Sequence, residues 1–284
     1  MIWVLVILLL LVPAAGVFLL FFFCGRQRGA AAPEDDPWLE TVRTERVRID
    51  SDDELELHAL LVPRKGAKGT VLLFHNARSS WKRDFFPWAA RFYHEKGYQL
   101  LLADQRAHGA SRGRWTTWGI WERFDVRGWT NYVSFRFGDA HPMFLTGKGM
   151  GAAAVLMASS LDLPGNVRGI VADSPYDTPY KALWRAVADD TPLPAGPLLW
   201  LLNAFTSLFI GFRLKEYGAV AAVKETRLPI LLLQGPKAPK AAGREIAGAC
   251  AGDCALLRVE DENSRAAAEA AIAEFLEKHL RDEK

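Results

Sequence analysis

The sequence predicts an α/β domain with a mostly parallel sheet and helices on both faces, and three observations carry that reading. Short continuous apolar runs at 70–74, 99–103, 143–146, 167–172, 229–233 and 255–259 alternate with longer segments of helical period. Continuous apolar runs suit strands buried on both faces, and strand–helix alternation implies parallel pairing. The run at 143–146 ends in the glycine-rich turn Gly147-Lys148-Gly149-Met150-Gly151, with an alanine-rich helical stretch directly behind it. Between 179 and 214 the alternation breaks into a strongly apolar stretch holding Pro192, Pro194 and Pro197. An insertion at that point, about 178–216, reads as a helical cap over the carboxyl ends of the strands, where ligand crevices form.

The elements follow in order. Residues 47–49 and 55–60 alternate apolar and polar side chains around Ser51-Asp52-Asp53, which predicts a β-hairpin. Residues 81–96 have the period of an amphipathic helix, and so do 118–135. An Ala/Glu-rich helix over 264–281, with Ser264 at its start, closes the chain.

Residues 2–23 contain no charge and as a helix would cross a hydrocarbon core of about 30 Å. Pro13 and Gly16 are both tolerated in such helices. No Lys or Arg precedes the run, unlike a cleaved signal peptide, and Phe21, Phe22 and Phe23 precede Cys24 where a lipoprotein signal has small residues. The organisation expected is a transmembrane anchor over 1–24, a linker over 25–40 and one domain over 41–284. Arg26 and Arg28 behind the run place that domain in the cytoplasm by the positive-inside rule, as a single-pass protein.

Several function classes are excluded at this level. The formal net charge is +2, with no basic stripe, so nothing points to nucleic acid as a partner. Three cysteines make no disulfide framework; Cys250 and Cys254 either pair in an oxidising compartment or, as their spacing favours, stand as ordinary thiols. There is no H-x-x-x-H and no Cys/His cluster, so no metal and no cofactor is expected.

The segment Asp104-Gln105-Arg106-Ala107-His108-Gly109-Ala110-Ser111 reads D-x-R-x-H-G-x-S, and Gly119, Glu122 and Asp125 continue it as G-x-x-E-x-x-D. His75-Asn76-Ala77 has the form of an H-G-x loop after a strand, and Ala172-Asp173-Ser174-Pro175-Tyr176 leads from a strand toward the cap. By these motifs the region 47–280 resembles the α/β-hydrolase superfamily, in particular bacterial serine hydrolases of the esterase/aminopeptidase kind. The resemblance implies an α/β-hydrolase fold, with the turn at 147–151 as the nucleophile elbow G-x-S-x-G. It also implies structural roles for His75 and His108, and an oxyanion hole from the backbone N–H groups of Ala77 and Met150.

Set against that pattern, the three catalytic positions hold the wrong residues. The nucleophile position is Gly149. The acid turn G-x-x-D reads Gly235-Pro236-Lys237-Ala238, so Ala238 stands where a carboxylate is expected. The base turn G-x-G-H reads Glu260-Asp261-Glu262-Asn263-Ser264, and no histidine occurs between His141 and His279. Asn76 replaces a loop glycine, which is expected to disturb the oxyanion loop.

The reading is a membrane-anchored pseudo-hydrolase that binds a small apolar ligand or a protein partner. A first alternative is an active hydrolase of ester or amide bonds with a rearranged site. It would use Ser174, near the Asp173/Asp177 pair, in a dyad with Lys148, or water activated by the acidic turn Glu260-Asp261-Glu262, a turn that a solvated surface explains better than a pairing across the crevice with Lys148 or Arg78. A second alternative is a purely structural membrane-associated module.

Overall fold

The structure, a computed structural model, describes residues 2–26, 37–86, 88–190, 193–236, 238 and 240–280. Helices α1 (Ile2–Cys24) and α2 (Pro37–Thr41) precede the sheet. Its strands are β1 (Glu45–Asp50), β2 (Glu56–Val62), β3 (Thr70–Phe74), β4 (Gln99–Ala103), β5 (Met143–Lys148), β6 (Val167–Asp173), β7 (Ile230–Gln234) and β8 (Cys254–Arg258). The remaining helices are α3 (Trp81–Phe85), α4 (Ala89–Glu95), α5 (Glu122–Phe137), α6 (Met150–Ala158), α7 (Pro179–Asp190), α8 (Ala195–Phe209), α9 (Ala219–Val223), α10 (Lys240–Ala247) and α11 (Glu262–His279).

The strands lie in the order β1-β2-β4-β3-β5-β6-β7-β8. β1 and β2 run antiparallel to their neighbours, and β4, β3, β5, β6, β7 and β8 are mutually parallel. All five residues of β3, of β4 and of β7 are buried, as their unbroken apolar runs require. The two faces carry separate cores. One gathers Leu72, Leu101, Trp129, Leu145 and Val155 under α5 and α6; the other gathers Leu73, Leu100, Tyr93 and Ile272 under α4 and α11. The chain order reverses at β3, which pairs with β4 on one side and β5 on the other. Loops leaving the carboxyl ends of β3 and β5 therefore diverge from adjacent points, the switch point at which open α/β sheets form crevices.

Several expectations are corrected in detail. The helix expected over 81–96 is divided into α3 and α4, around Pro87, whose missing N–H cannot continue a helical ladder. The helix expected from 118 begins at Glu122, because that side chain is turned back to accept hydrogen bonds from Thr117 N–H, Gly119 N–H and the Thr116 and Thr117 hydroxyls. Asp261, not Ser264, caps α11; the two form a capping box, with Ser264 N–H donating to Asp261 Oδ1 at 2.8 Å. The stretch expected to form the cap, about 178–216, holds α7 and α8. The three cysteines are free thiols, and Cys24 is buried.

The transmembrane anchor is not found: among the described residues no helix is long and apolar enough to cross a membrane. The end of α1 is docked on the domain instead. Leu19, Leu20, Phe23 and Cys24 are buried with Trp118, Ile120, Leu199 and Leu202 in a third core beneath the cap. Of the linker expected over 25–40, residues 27–36 lie outside the described residues. Gly25 bridges to Trp115, and Arg26 donates to the carbonyls of Gly109 and Ser111, both at 2.9 Å. Trp38, also assigned to the linker, packs edge-on against Phe86 and His94 and so belongs to the domain.

Candidate functional site

The elbow forms because only Gly149 separates the end of β5 from the start of α6. Gly149 takes φ +53° and ψ −109°, a region that penalises any Cβ. A Cβ on Gly151 would fall 1.9 Å from the Phe74 carbonyl oxygen, so α6 can press against β3 only with glycine there.

Phe74 and Gly147 are register partners, so the loop after β3 lies directly beside the elbow. In that loop the side-chain oxygen of Asn76 accepts hydrogen bonds from two backbone amides, Ala77 N–H at 2.8 Å and Met150 N–H at 2.9 Å. The two amides that the sequence pattern marks as oxyanion donors thus converge on one point, and Asn76 Oδ1 occupies it. A Cβ built on Gly149 would lie 2.1 Å from that same oxygen and 2.4 Å from Asn76 Cγ. The Asn76 amide fills the space that a serine at the elbow would need. Asp84 on α3 holds the loop, accepting from Asn76 N–H at 2.7 Å, and its other oxygen lies 3.7 Å from Lys148 Nζ.

Around this point a crevice of about 870 Å³ runs beneath the cap. Trp88, Trp118, Tyr176, Leu233 and Val259 give it mainly apolar walls, and Lys148, Asp173 and Ser174 stand at its floor. Its size is that of small-molecule sites. Tyr176 donates its hydroxyl to the Trp118 carbonyl at 3.0 Å, and Trp118 Nε1 donates to the Phe23 carbonyl at 3.1 Å. The wall is thereby tied to the end of α1.

Lys148 and Asp173 are register partners at the ends of β5 and β6. Burial pushes the Asp173 carboxyl up, against the Ser174 hydroxyl and the Lys148 charge, which favour its ionised form. Ser174 adopts φ +53°, uncommon for a residue with a side chain. Its hydroxyl donates to Asp173 Oδ1 at 2.8 Å and accepts from Gly235 N–H at 3.2 Å. Asp177 is engaged elsewhere: it accepts from Val220 N–H at 3.0 Å and pairs with Lys181, which reaches Glu245 on α10 at 2.7 Å.

Ala238 lines the crevice wall with a methyl group. Ser264 Oγ is spent on the helix cap, accepting from Glu260 N–H and Asp261 N–H. Glu260 is exposed. That fits the solvated turn favoured over a pairing with Lys148 or Arg78: Lys148 faces Asp84, and Arg78 donates to the Phe22 carbonyl at 2.8 Å. His279 lies about 21 Å along α11 from the crevice residue Arg265, near Asp253 at 3.8 Å.

The motif histidines are structural. His75 is buried and donates from Nδ1 to the Asn76 carbonyl at 2.8 Å, with the His108 ring edge-on at 5.0 Å. Burial, reinforced by His108, pushes its pKa down to about 3, so the ring stays neutral. His108 is lowered too, by burial first. Arg106 grips Asp125 through two hydrogen bonds of 2.6 Å and Asp53 through two of 3.0 Å. Sequence reading missed two participants, Asp84 and the Asn76 side chain as an occupant. Asn76 had announced itself only as a departure from glycine.

Comparison with known proteins agrees with this fold. The Bacillus subtilis (strain 168) protein YqkD, described as uncharacterized, is 25% identical over 137 residues, which is 48% of this chain and 45% of that protein. The chain therefore spans about half the length of the curated relative it matches. The esterase Pf2001 of Pyrococcus furiosus superimposes with a TM-score of 0.71 at 19% identity, over 90% of this chain and 99% of that one. A puromycin-hydrolyzing peptidase of Mycobacterium tuberculosis gives a TM-score of 0.65 at 14% identity, over 85% of this chain and 40% of that one. Identities this low speak for the fold. The family profile of serine aminopeptidase S33 matches residues 65–209, just over half of the 284 residues. The chain belongs to the serine aminopeptidase S33 family of α/β hydrolases.

Proposed function

We propose that this protein is a pseudo-hydrolase: it keeps the α/β-hydrolase crevice but performs no serine-dependent acyl transfer, and binds a small apolar ligand under the cap. The observation that carries this reading is Asn76 Oδ1, held by Ala77 N–H and Met150 N–H in the space a nucleophile would occupy. An oxyanion hole stabilises a developing charge only if its donors are free to meet it. Here both are already satisfied by a neutral amide oxygen. Losing a nucleophile alone lowers the turnover of a triad enzyme by roughly a million-fold. Ala238 and Ser264 at the acid and base positions, neither a carboxylate nor a histidine, support the same conclusion.

Ligand binding is favoured over a purely structural role by the open crevice and its aromatic walls. The uncharged α1 supports retention at a membrane, and Arg26 and Arg28 behind it in sequence support the cytoplasmic side. The experiment is native mass spectrometry of the full chain beside ester and aminoacyl hydrolysis assays. A retained small molecule with no turnover is the expected result; turnover above the uncatalysed rate overturns the reading.

One observation favours the rearranged-hydrolase alternative, the strained backbone of Ser174 at the crevice floor beside Asp173 and Lys148. Against it, the Ser174 hydroxyl donates its hydrogen bond to the Asp173 carboxyl and not to the histidine or amine that activates a serine nucleophile. The oxyanion amides are occupied as well. Turnover lost on Ser174→Ala would select this alternative.

A further inference from the structure

We propose that α1 and the cap helix α8 together form a face seated in the acyl region of a lipid bilayer, so that the cap itself, and not α1 alone, contacts the membrane. The proposal rests on the membrane retention proposed above and extends it to a second element.

The two helices are packed side by side. A Cβ on Gly16 would fall 2.3 Å from the Phe205 ring, so that glycine lets α8 lie directly on α1. On the side of α1 turned away from the domain, Leu10, Leu11, Phe18, Phe21 and Phe22 are exposed. α8 is apolar on both sides, burying Leu199 and Leu202 inward while its outer side is apolar as well, unlike a helix that meets water. Trp200, Ala204 and Leu208, spaced by four, form an exposed stripe, with Phe209 beside it; Trp200 is 73% and Leu208 75% exposed. Its polar residues are satisfied from within: Asn203 Oδ1 accepts from Leu214 N–H at 2.8 Å, and the buried Thr206 donates to the Asn203 carbonyl at 3.1 Å.

Charge completes the pattern. No charged residue occurs in α1 or α8. Arginines gather where α1 ends: Arg26 on the loop carbonyls, Arg78 on the Phe22 carbonyl and 4.5 Å above its ring, Arg114 5.1 Å from the Phe21 ring. Cations at the rim of an apolar, aromatic face match anionic headgroups above an acyl layer.

The test uses the full chain with Cys24→Ala, Cys250→Ser and Cys254→Ser, carrying one environment-sensitive fluorophore at Phe18→Cys, Leu208→Cys or Phe135→Cys. Phe135, 93% exposed on α5, is the control. Vesicles of phosphatidylcholine and phosphatidylglycerol with brominated acyl chains provide the quencher. The expected result is quenching at positions 18 and 208 but not at 135. Quenching at 18 alone overturns the α8 proposal while leaving membrane retention standing; quenching at neither overturns both. A label at 208 already shielded without lipid, with a dimer in native mass spectrometry, would assign the face to a second copy and overturn it too. The exposed double substitution Trp200→Glu/Leu208→Glu should weaken vesicle partition by about tenfold or more, with unfolding unchanged.

Discussion

Two neighbouring regions of this molecule have been treated differently by the sequence. Behind the sheet ends, the loop 104–111 and the start of α5 keep every motif residue, each with a partner: Arg106 with Asp125 and Asp53, Glu122 with four donors, Ser111 with the Asp104 carbonyl and His58 N–H. At the elbow, a few residues away in space, Gly149 has no side chain and Asn76 has grown into the gap. The difference separates what an α/β hydrolase needs to fold from what it needs to react. Bonds that hold the loops are present, while the elbow position carries no side chain and the space beside it is taken by the Asn76 amide.

The largest effect expected from this contrast lies on the retained side. Arg106→Met leaves the fully buried Asp125 carboxylate without its bidentate partner and should cost about 3–5 kcal/mol in urea unfolding. A loss under about 1 kcal/mol would mean that the motif is not what holds these loops. Acid should find the same region. His75, held neutral with a pKa of about 3, is protonated in the unfolded chain below about 6.5. Its contribution is complete above about 6.5 and is lost as pH falls toward 3, by a few kcal/mol across that window. His75→Gln should flatten that acid limb in pH-dependent unfolding.

On the altered side, Gly149→Ser must displace Asn76 and accept a positive φ, for an expected loss of about 1–3 kcal/mol in thermal or urea unfolding. Asn76→Gly combined with Gly149→Ser should recover part of that loss, a coupling that a double-mutant cycle reads directly. The pair should still show no turnover, since neither acid nor base position is restored. Additive effects would separate the two positions and break the comparison. Ser174→Ala should be the mildest, within about 1 kcal/mol, since it removes one local hydrogen-bond pair.

Much of the fold was legible because burial on both faces of a parallel sheet writes itself as unbroken apolar runs; β3, β4 and β7 fall on such runs. The start of α5 was not, since the period continues back to Trp118 while Glu122 gathers the preceding loop into its own hydrogen bonds. The docking of α1 was hidden for a similar reason. Hydropathy records that a helix is apolar, not whether lipid or a protein core covers it, and Leu19, Leu20 and Phe23 turn out to face the cap. At the site, Gly149 and Asn76 stood out as separate departures from a pattern. Their fit to each other was invisible, because Asn76 and Met150 lie 74 residues apart and meet only through the β3–β5 register.

The reading stands or falls most directly on covalent labelling. The full chain, treated with an excess of a serine-directed fluorophosphonate and read by intact-protein mass spectrometry, should show no added mass. A stoichiometric adduct, mapped to Ser174 or any other crevice residue, would contradict the claim that acyl-transfer chemistry has been lost.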